Sequence, residues 1–349
     1  MQPTRTVDRQ TNPRQNQEPL LSVRNLHTHF PLDEGTVVAV DGASFDVYPG
    51  QTLGIVGESG CGKSVAARSI LGILDKPGRV MEGEIIFRRS RRAGHEGMVD
   101  FASYDPNSEL VRSIRGAEIS YVFQEPMTSF SPVHTVGNQI IEAIMLHRSI
   151  TKEEARKVAV EMLRLVGIPS PDTRVDEYAF QLSGGLRQRA MIAMALSCNP
   201  TLLIADEPTT ALDVTTQAQI LDLMRRLQDE YGMAIMMITH DLGVIAEMAD
   251  HVVVMYLGRV VESAPVDDIF HNPKHPYTKA LLESIPRMQG RAREKLASIR
   301  GTVPHPYARP AGCPFNPRCD SFKEGLCDVK TPTLTSVETN HQVSCFLYE

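Results

Sequence analysis

An α/β fold is predicted for this 349-residue chain: a parallel-sheet core, an antiparallel β part, a helical part and a small cysteine-containing C-terminal extension. Three observations carry the prediction. A short apolar run at residues 52–56 (TLGIV) ends in a glycine-rich loop that opens a helix. Residues 202–205 and 234–239 are continuous apolar runs, as expected for strands covered on both faces. A helix-period stretch at residues 217–231 lies between them, the spacing of parallel strands joined by crossover helices.

Composition narrows the class. Hydrophobic content of 42% and charged content of 22% are ordinary for a globular protein. The length suits one large domain with an appendage, or two modest domains. A net charge of −6 argues against a nucleic-acid binder, which carries a basic excess. Apolar runs such as residues 233–238 (MAIMMI) are too short to span a bilayer. The polar residues 1–18 lack an apolar core and read as a disordered tail, not a secretory signal. Together these features predict a cytosolic protein that reaches a membrane only through a partner.

Residues 20–26 and 36–47 alternate apolar and polar side chains around Gly35 and Gly42, the pattern of early antiparallel strands. A helix is expected from Lys63 to about Leu74, stopped by Lys76-Pro77-Gly78. Residues 84–87 form another strand. Residues 88–103, with little period and four arginines, read as a solvated surface loop. Residues 118–124 (EISYVFQ) resemble a buried strand, and a helical part follows over about 125–190. Within it Thr151 and Glu154 form a capping box. Ala155, Ala159, Met162, Leu163 and Val166 then share one face, ended by Gly167. Beyond strands at 252–256 and 259–263 the composition shifts toward Pro, His and Cys. A boundary near Pro265 divides a main domain, 19–264, from an extension, 265–349.

The chemistry lies in three segments. GESGCGKS, Gly57 to Ser64, matches GxxxxGK[ST] between a strand and a helix, where a phosphate loop belongs. Gly57, Gly60 and Gly62 let backbone N–H groups approach phosphates without a Cβ clash. The helix start adds its positive dipole end. Glu58, Ser59, Cys61 and Val65 complete the cradle, Lys63 binds the β- and γ-phosphates, and Ser64 ligates Mg²⁺. Cys61 fills a variable loop position, where a helix start can acidify a thiol and make it reactive. In LLIADE, Asp206 reaches the carboxyl end of a strand, where α/β ligands bind, and holds Mg²⁺ through water. Glu207 follows as the group that polarises the attacking water. The third segment, LSGGLRQR, opens a helix with Ser183, Gly184 and Gly185, a second anion-binding start. One chain cannot easily turn both starts onto one nucleotide. Two subunits with ATP between them, an ATP-driven clamp, is the economical arrangement.

These motifs, with Gln124, Asp213 and His240 in the same order, resemble those of ABC-transporter ATPase subunits over roughly residues 20–263. The resemblance implies a P-loop ABC ATPase fold with a RecA-like parallel-sheet core, an antiparallel β subdomain and a helical subdomain. It also implies ATP hydrolysis coupled to translocation. By it Gln124 contacts Mg²⁺ and water and reports to membrane subunits, and Asp213 crosses a dimer interface. His240 lies near the γ-phosphate, and Ser183 to Gly185 with Gln188 serve a nucleotide held by the partner. Taken alone, His240 after a buried strand reads as a structural histidine. Phe30 is the expected adenine-stacking ring, with His29 or plain core packing as competing readings. Leu186 stands where the family commonly has Gln, yet LSGG-apolar-RQR is similar to the peptide-importer ATPases.

The segment His275-Pro276-Tyr277-Thr278 resembles the C-terminal extension of oligopeptide and dipeptide importer ATPases. Read as residues alone, it is a turn leading into a helix at 278–284. Cys313, Cys319, Cys327 and Cys345 crowd the same extension without a C-x-x-C knuckle. In a reducing cytosol such thiols hold zinc or an iron–sulfur cluster, or remain unliganded; the resemblance implies a 4Fe–4S cluster. It further implies a second, related but different ATPase chain, two membrane-spanning permease subunits and an extracytoplasmic substrate-binding protein. The place is then the cytoplasmic face of a bacterial inner membrane, and the cargo short peptides. Nickel or oligosaccharide cargo stays open. The rivals are a soluble ABC-type ATPase acting on nucleic acid and a redox-sensing subunit governed by its cysteines.

Overall fold

Thirteen- and twelve-residue strands near the N-terminus set up the first of two sheets. The computed structural model describes residues 17–89, 97–125, 129–210, 212–284, 299–305 and 307–349. Leu21–Leu32 (β1, 12 residues) pairs antiparallel with Gly35–Val47 (β2, 13 residues), matching the alternation of the sequence. Arg79–Arg89 (β4) and Gly97–Asp100 (β5) complete a sheet ordered β2-β1-β4-β5. The second sheet contains Thr52–Val56 (β3), Ile119–Val122 (β6), Leu202–Asp206 (β7), Ala234–Ile238 (β8), His251–Tyr256 (β9) and Arg259–Pro265 (β10). Thr335–Glu338 (β11) and His341–Val343 (β12) join its edge, giving the order β11-β12-β10-β9-β3-β8-β7-β6. From β9 to β6 neighbouring strands run parallel.

The apolar strands are sorted by their period of two. Leu202 and Ile204 of β7, with Ala234 and Met236 of β8, face the core shared with the first sheet and Lys63–Leu71 (α1). Leu203, Ala205, Ile235 and Met237 face the other core. That core is filled by Gly184–Leu196 (α6), Val214–Tyr231 (α7) and Leu242–Met248 (α8). Each of these strand side chains is fully buried, a contribution of ~1.5–3 kcal/mol for a Leu or Ile. Between β3 and β7 lie Glu109–Ile114 (α2), Val136–His147 (α3), Lys152–Leu165 (α4) and Pro171–Arg174 (α5). The capping box on α4 is formed as expected, with both bonds between Thr151 and Glu154.

Three expectations change. Helix α1 stops at Gly72, whose left-handed φ of 60° ends it before Lys76-Pro77-Gly78. The described part of 88–103 is not a solvated loop: it closes β4 and forms β5. Arg89 there meets the buried Glu118 carboxylate at 2.6 Å, while residues 90–96 lie outside the described residues, as do 1–16 of the expected tail. Finally, the chain beyond Pro265 returns to the main sheet through Val266–His271 (α9) and Pro276–Glu283 (α10). It is pinned there by Glu262 of β10, fully buried, which accepts bonds from Lys274 N (2.7 Å) and His275 N (3.0 Å). His341 Nε2 of β12 lies 2.7 Å from the same carboxylate.

Candidate active site

The phosphate loop connects β3 to α1, and its glycines are required where backbone closes on backbone. A Cβ at Gly57 would lie 2.2 Å from Met255 O, and one at Gly62 (φ 95°) 2.2 Å from Ala39 O. Gly258 N donates to Cys61 O at 2.8 Å, so the β9–β10 turn supports the loop from below. Lys63 is buried, and its Nζ donates to Gly57 O (2.8 Å) and Glu58 O (3.1 Å). Residues 59–65 line one side of a pocket of about 450 Å³, with Gln124 and Glu207 opposite. A larger groove of about 880 Å³ lies between β2 and the C-terminal hairpin. None of the phosphate-loop residues lines that groove, so the smaller pocket holds the chemistry.

Strand β7 delivers the two acids to opposite tasks. Asp206, buried, accepts from Ser64 Oγ at 2.8 Å and from Tyr121 OH at 2.6 Å. Glu207 takes a left-handed φ of 48°, a strained backbone that costs of order 1–3 kcal/mol and recurs at functional sites. Its carboxylate accepts from Gln124 Nε2 (3.0 Å) and Thr210 Oγ1 (2.8 Å) and lies 3.1 Å from His240 Nδ1. Burial works to raise its pKa. The bonds from Thr210 and His240, and the charge of Lys63, outweigh burial and hold the carboxyl below its ordinary value.

The donor set fits Mg²⁺. Ser64 Oγ and the Asp206 carboxylate are hard oxygen donors, held together at the phosphate loop by a 2.8 Å hydrogen bond.

Other expected residues fall elsewhere. Ser183 caps α6, its Oγ accepting from Leu186 N at 3.4 Å, and with Gly184 it is exposed and apart from the pocket. Gln188, read as part of that surface, is 2% exposed. It lies one turn beyond Gly184 on the face shared with Met191 and Ile192, so its carboxamide points inward. Asp213 is exposed and caps α7, accepting from Thr216 N (3.0 Å) and Thr216 Oγ1 (2.7 Å). Phe30 does not line the pocket; a Cβ on Gly78 would lie 2.4 Å from its Cε1. Cys61 lines the pocket within the phosphate loop. It is buried, and burial pushes the thiol up against the opposing pull of Lys63.

Sequence reasoning missed the residues that brace this site from a distance. Arg318 makes a bidentate pair with Glu58, at 2.7 and 3.0 Å, across 260 positions. Tyr277 OH accepts from Glu58 N at 2.8 Å. Tyr121 and Thr210, next to recognised motifs, carried no signal of their own. Residues 303–305 and Arg309 line the pocket opposite the phosphate loop.

Cys313, Cys319, Cys327 and Cys345 all line a single small cavity with His275, Phe315 and Lys323. Burial pushes the Cys313 thiol up to about 11, and the other three cysteines add to the rise. Cys319 and Cys345 are raised for the same reasons. Among the described residues no group of three or more His, Cys, Asp or Glu is placed to hold one metal ion.

Comparison with known proteins agrees with this geometry. Residues 40–210 match the family described as "ABC transporter", and residues 261–327 the family "Oligopeptide/dipeptide transporter, C-terminal region". The dipeptide transport ATP-binding protein DppD of Bacillus subtilis is 48% identical over 95% of this chain and 96% of its own length. The protein of the same name in Escherichia coli is 46% identical over 93% and 96%. Among solved structures, the ATP-binding cassette MJ0796, dimeric and bound to ADP and phosphate, superposes with a TM-score of 0.61. It is 25% identical, covering 70% of this chain and 98% of that one.

Proposed function

Since this chain belongs to the ATP-binding subunit family of ABC transporters, we propose that its ATP hydrolysis powers the import of short peptides. The ATPase activity follows from the family, as do a dimeric arrangement and membrane permease partners. The cargo is inferred from the relatives, whose names specify dipeptide and oligopeptide transport. One observation carries the mechanism: Lys63, Ser64, Gln124 and Glu207 line one pocket, with Asp206 bonded to Ser64, while Ser183 and Gly184 are exposed and do not line it.

ATP lays its phosphates along the loop, and Lys63 Nζ exchanges the carbonyls of Gly57 and Glu58 for phosphate oxygens. Mg²⁺, when bound, would be held by Ser64 and Asp206 with Gln124 beside them, neutralising charge on the β- and γ-oxygens. Water attacks the γ-phosphorus, the bond to the bridging oxygen breaks, and the water proton passes toward Glu207 Oε. Ionisation of Glu207 is favoured by its three partners, and His240 places a ring nitrogen beside the transferring group. The Ser183 surface serves the nucleotide of the facing subunit, a related but different chain.

A groove of about 440 Å³ on α3 supports permease docking. It is lined by Ile141, Met145 and Leu146, and Leu146 is 68% exposed, a large apolar side chain otherwise left in water. Among the described residues no helix is long and apolar enough to cross a membrane. The proposed site of action is therefore the cytoplasmic face of the membrane, beneath the permease, with an extracytoplasmic binding protein supplying cargo.

The four late cysteines we assign to a 4Fe–4S cluster that staples the extension. Supporting this are the four cysteines lining one cavity. Iron and sulfide in anaerobically purified protein are expected; stoichiometric zinc or no metal would overturn the assignment.

Glu207→Gln tests the function. ATP affinity should persist while turnover and uptake of a labelled dipeptide fall about 10²–10⁴-fold. Near-normal hydrolysis would assign the water to another residue. Nickel uptake that depends on this chain, with dipeptide uptake unaffected, would overturn the cargo.

A further inference from the structure

We infer that Val303, Pro304, His305 and Arg309 of the C-terminal extension form the base-recognising wall of the ATP pocket, with His305 as the ring that stacks on adenine. The inference rests on the ATP-site reading above and adds the element that holds the base. The pocket is divided chemically. Its phosphate end is cationic and rich in N–H donors. The same pocket is also lined by Val37, Val38 and Leu257 and by Val303, Pro304 and His305, apolar side chains and one planar ring. A flat purine needs such a place: apolar walls and one planar group, worth ~1–3 kcal/mol per stacked base.

The wall is built, not incidental. His305 and Tyr307 stack at 5.4 Å with planes 28° apart, and Tyr307 N donates to His305 Nδ1 at 3.4 Å. The Tyr307 ring rests on the β1–β2 turn, 3.5 Å from where a Cβ on Gly35 would stand. Arg309 fastens the far end. Its Nη2 donates to Leu257 O at 2.6 Å and meets Asp41 Oδ2 at 2.8 Å, the carboxylate that Arg259 also holds. Asp41 N in turn bonds Gly258 O, in the same turn that supports Cys61 of the phosphate loop. The base wall and the phosphate cradle are thus fixed to one frame. Phe30, the ring expected from the sequence, packs beside Gly78 and does not line the pocket.

Equilibrium binding of ATP and of inorganic tripolyphosphate to the full chain separates base recognition from phosphate binding. His305→Ala should weaken ATP roughly tenfold, about 1.4 kcal/mol, and leave tripolyphosphate within twofold. His305→Phe, which keeps a planar ring, should restore ATP binding. The inference fails if His305→Ala leaves ATP binding unchanged, or if it weakens both ligands equally, which would make the segment only a brace. It fails equally if Phe30→Ala costs more ATP affinity than His305→Ala. A wild-type chain that binds neither ligand would overturn the ATP-site reading itself.

Discussion

The chain opens two helices with glycines after a loop, and the two starts end in contrasting surroundings. At α1 the start is closed in: Gly62 sits against Ala39 O, Lys63 is buried, and Glu58 is held by Arg318 and Tyr277. At α6 a Cβ on Gly184 would meet nothing within 4 Å, and Ser183 caps only its own helix. Each supplies N–H donors and a positive dipole end. Only the first has a pocket, a lysine, a metal-binding pair and a carboxylate for water. The comparison teaches that the two starts differ in enclosure: one is walled in by the fold and lines a pocket, the other is left open, as the proposed service to a partner's nucleotide requires.

The strongest way to break the contrast is to disable each start separately. Lys63→Ala should abolish measurable ATP binding by the isolated chain. Ser183→Glu, which places a like charge against a partner's γ-phosphate, should leave that binding intact and reduce turnover of the assembled transporter by at least about 10²-fold.

A smaller effect is expected from the brace. Arg318→Ala removes two charge-assisted bonds from Glu58, worth ~1.5–3 kcal/mol together with the loop order they impose. Chemical denaturation should show that loss, and ATP affinity should fall several-fold. Arg318→Lys should rescue little, because a point charge cannot replace the bidentate fork. No change in either readout would show that the extension and the phosphate loop are independent.

The smallest effect is a shift in pH dependence. Glu207 must be ionised to accept the water proton, and its lowered pKa keeps it ionised through the ordinary carboxylate range, near pH 4.3. The sign follows: the benefit is present above that range and is lost as pH falls through the lower native value. Thr210→Val removes one donor, so the acid limb of kcat should move to higher pH. An unmoved limb would show that Thr210 does not set the ionisation of Glu207.

What was legible in the sequence was local. Period-two runs identify β1 and β2, continuous apolar runs identify β7 and β8, and the phosphate loop and LLIADE are contiguous strings whose spacing is their chemistry. Contacts closed by the fold across long separations were not legible. Arg318 reaches Glu58 from 260 positions away, and nothing in NPRCD announces it. Glu262 carries no signal of its own in the sequence, yet it is buried with Lys274 N, His275 N and His341 Nε2 against its carboxylate. Orientation was illegible too. Gln188 sits inside a conspicuous motif, but helical period turns it into the core. Phe30 was placed by sequence near the nucleotide, and packing sets it beside Gly78.

The central claim is that Ser183 and Gly184 act on a nucleotide this chain does not itself hold. Its most direct test is the equilibrium affinity of ATP for the isolated chain carrying Ser183→Glu. The account predicts a Kd within twofold of wild type. A Kd raised tenfold or more would place Ser183 in the chain's own site and contradict the account.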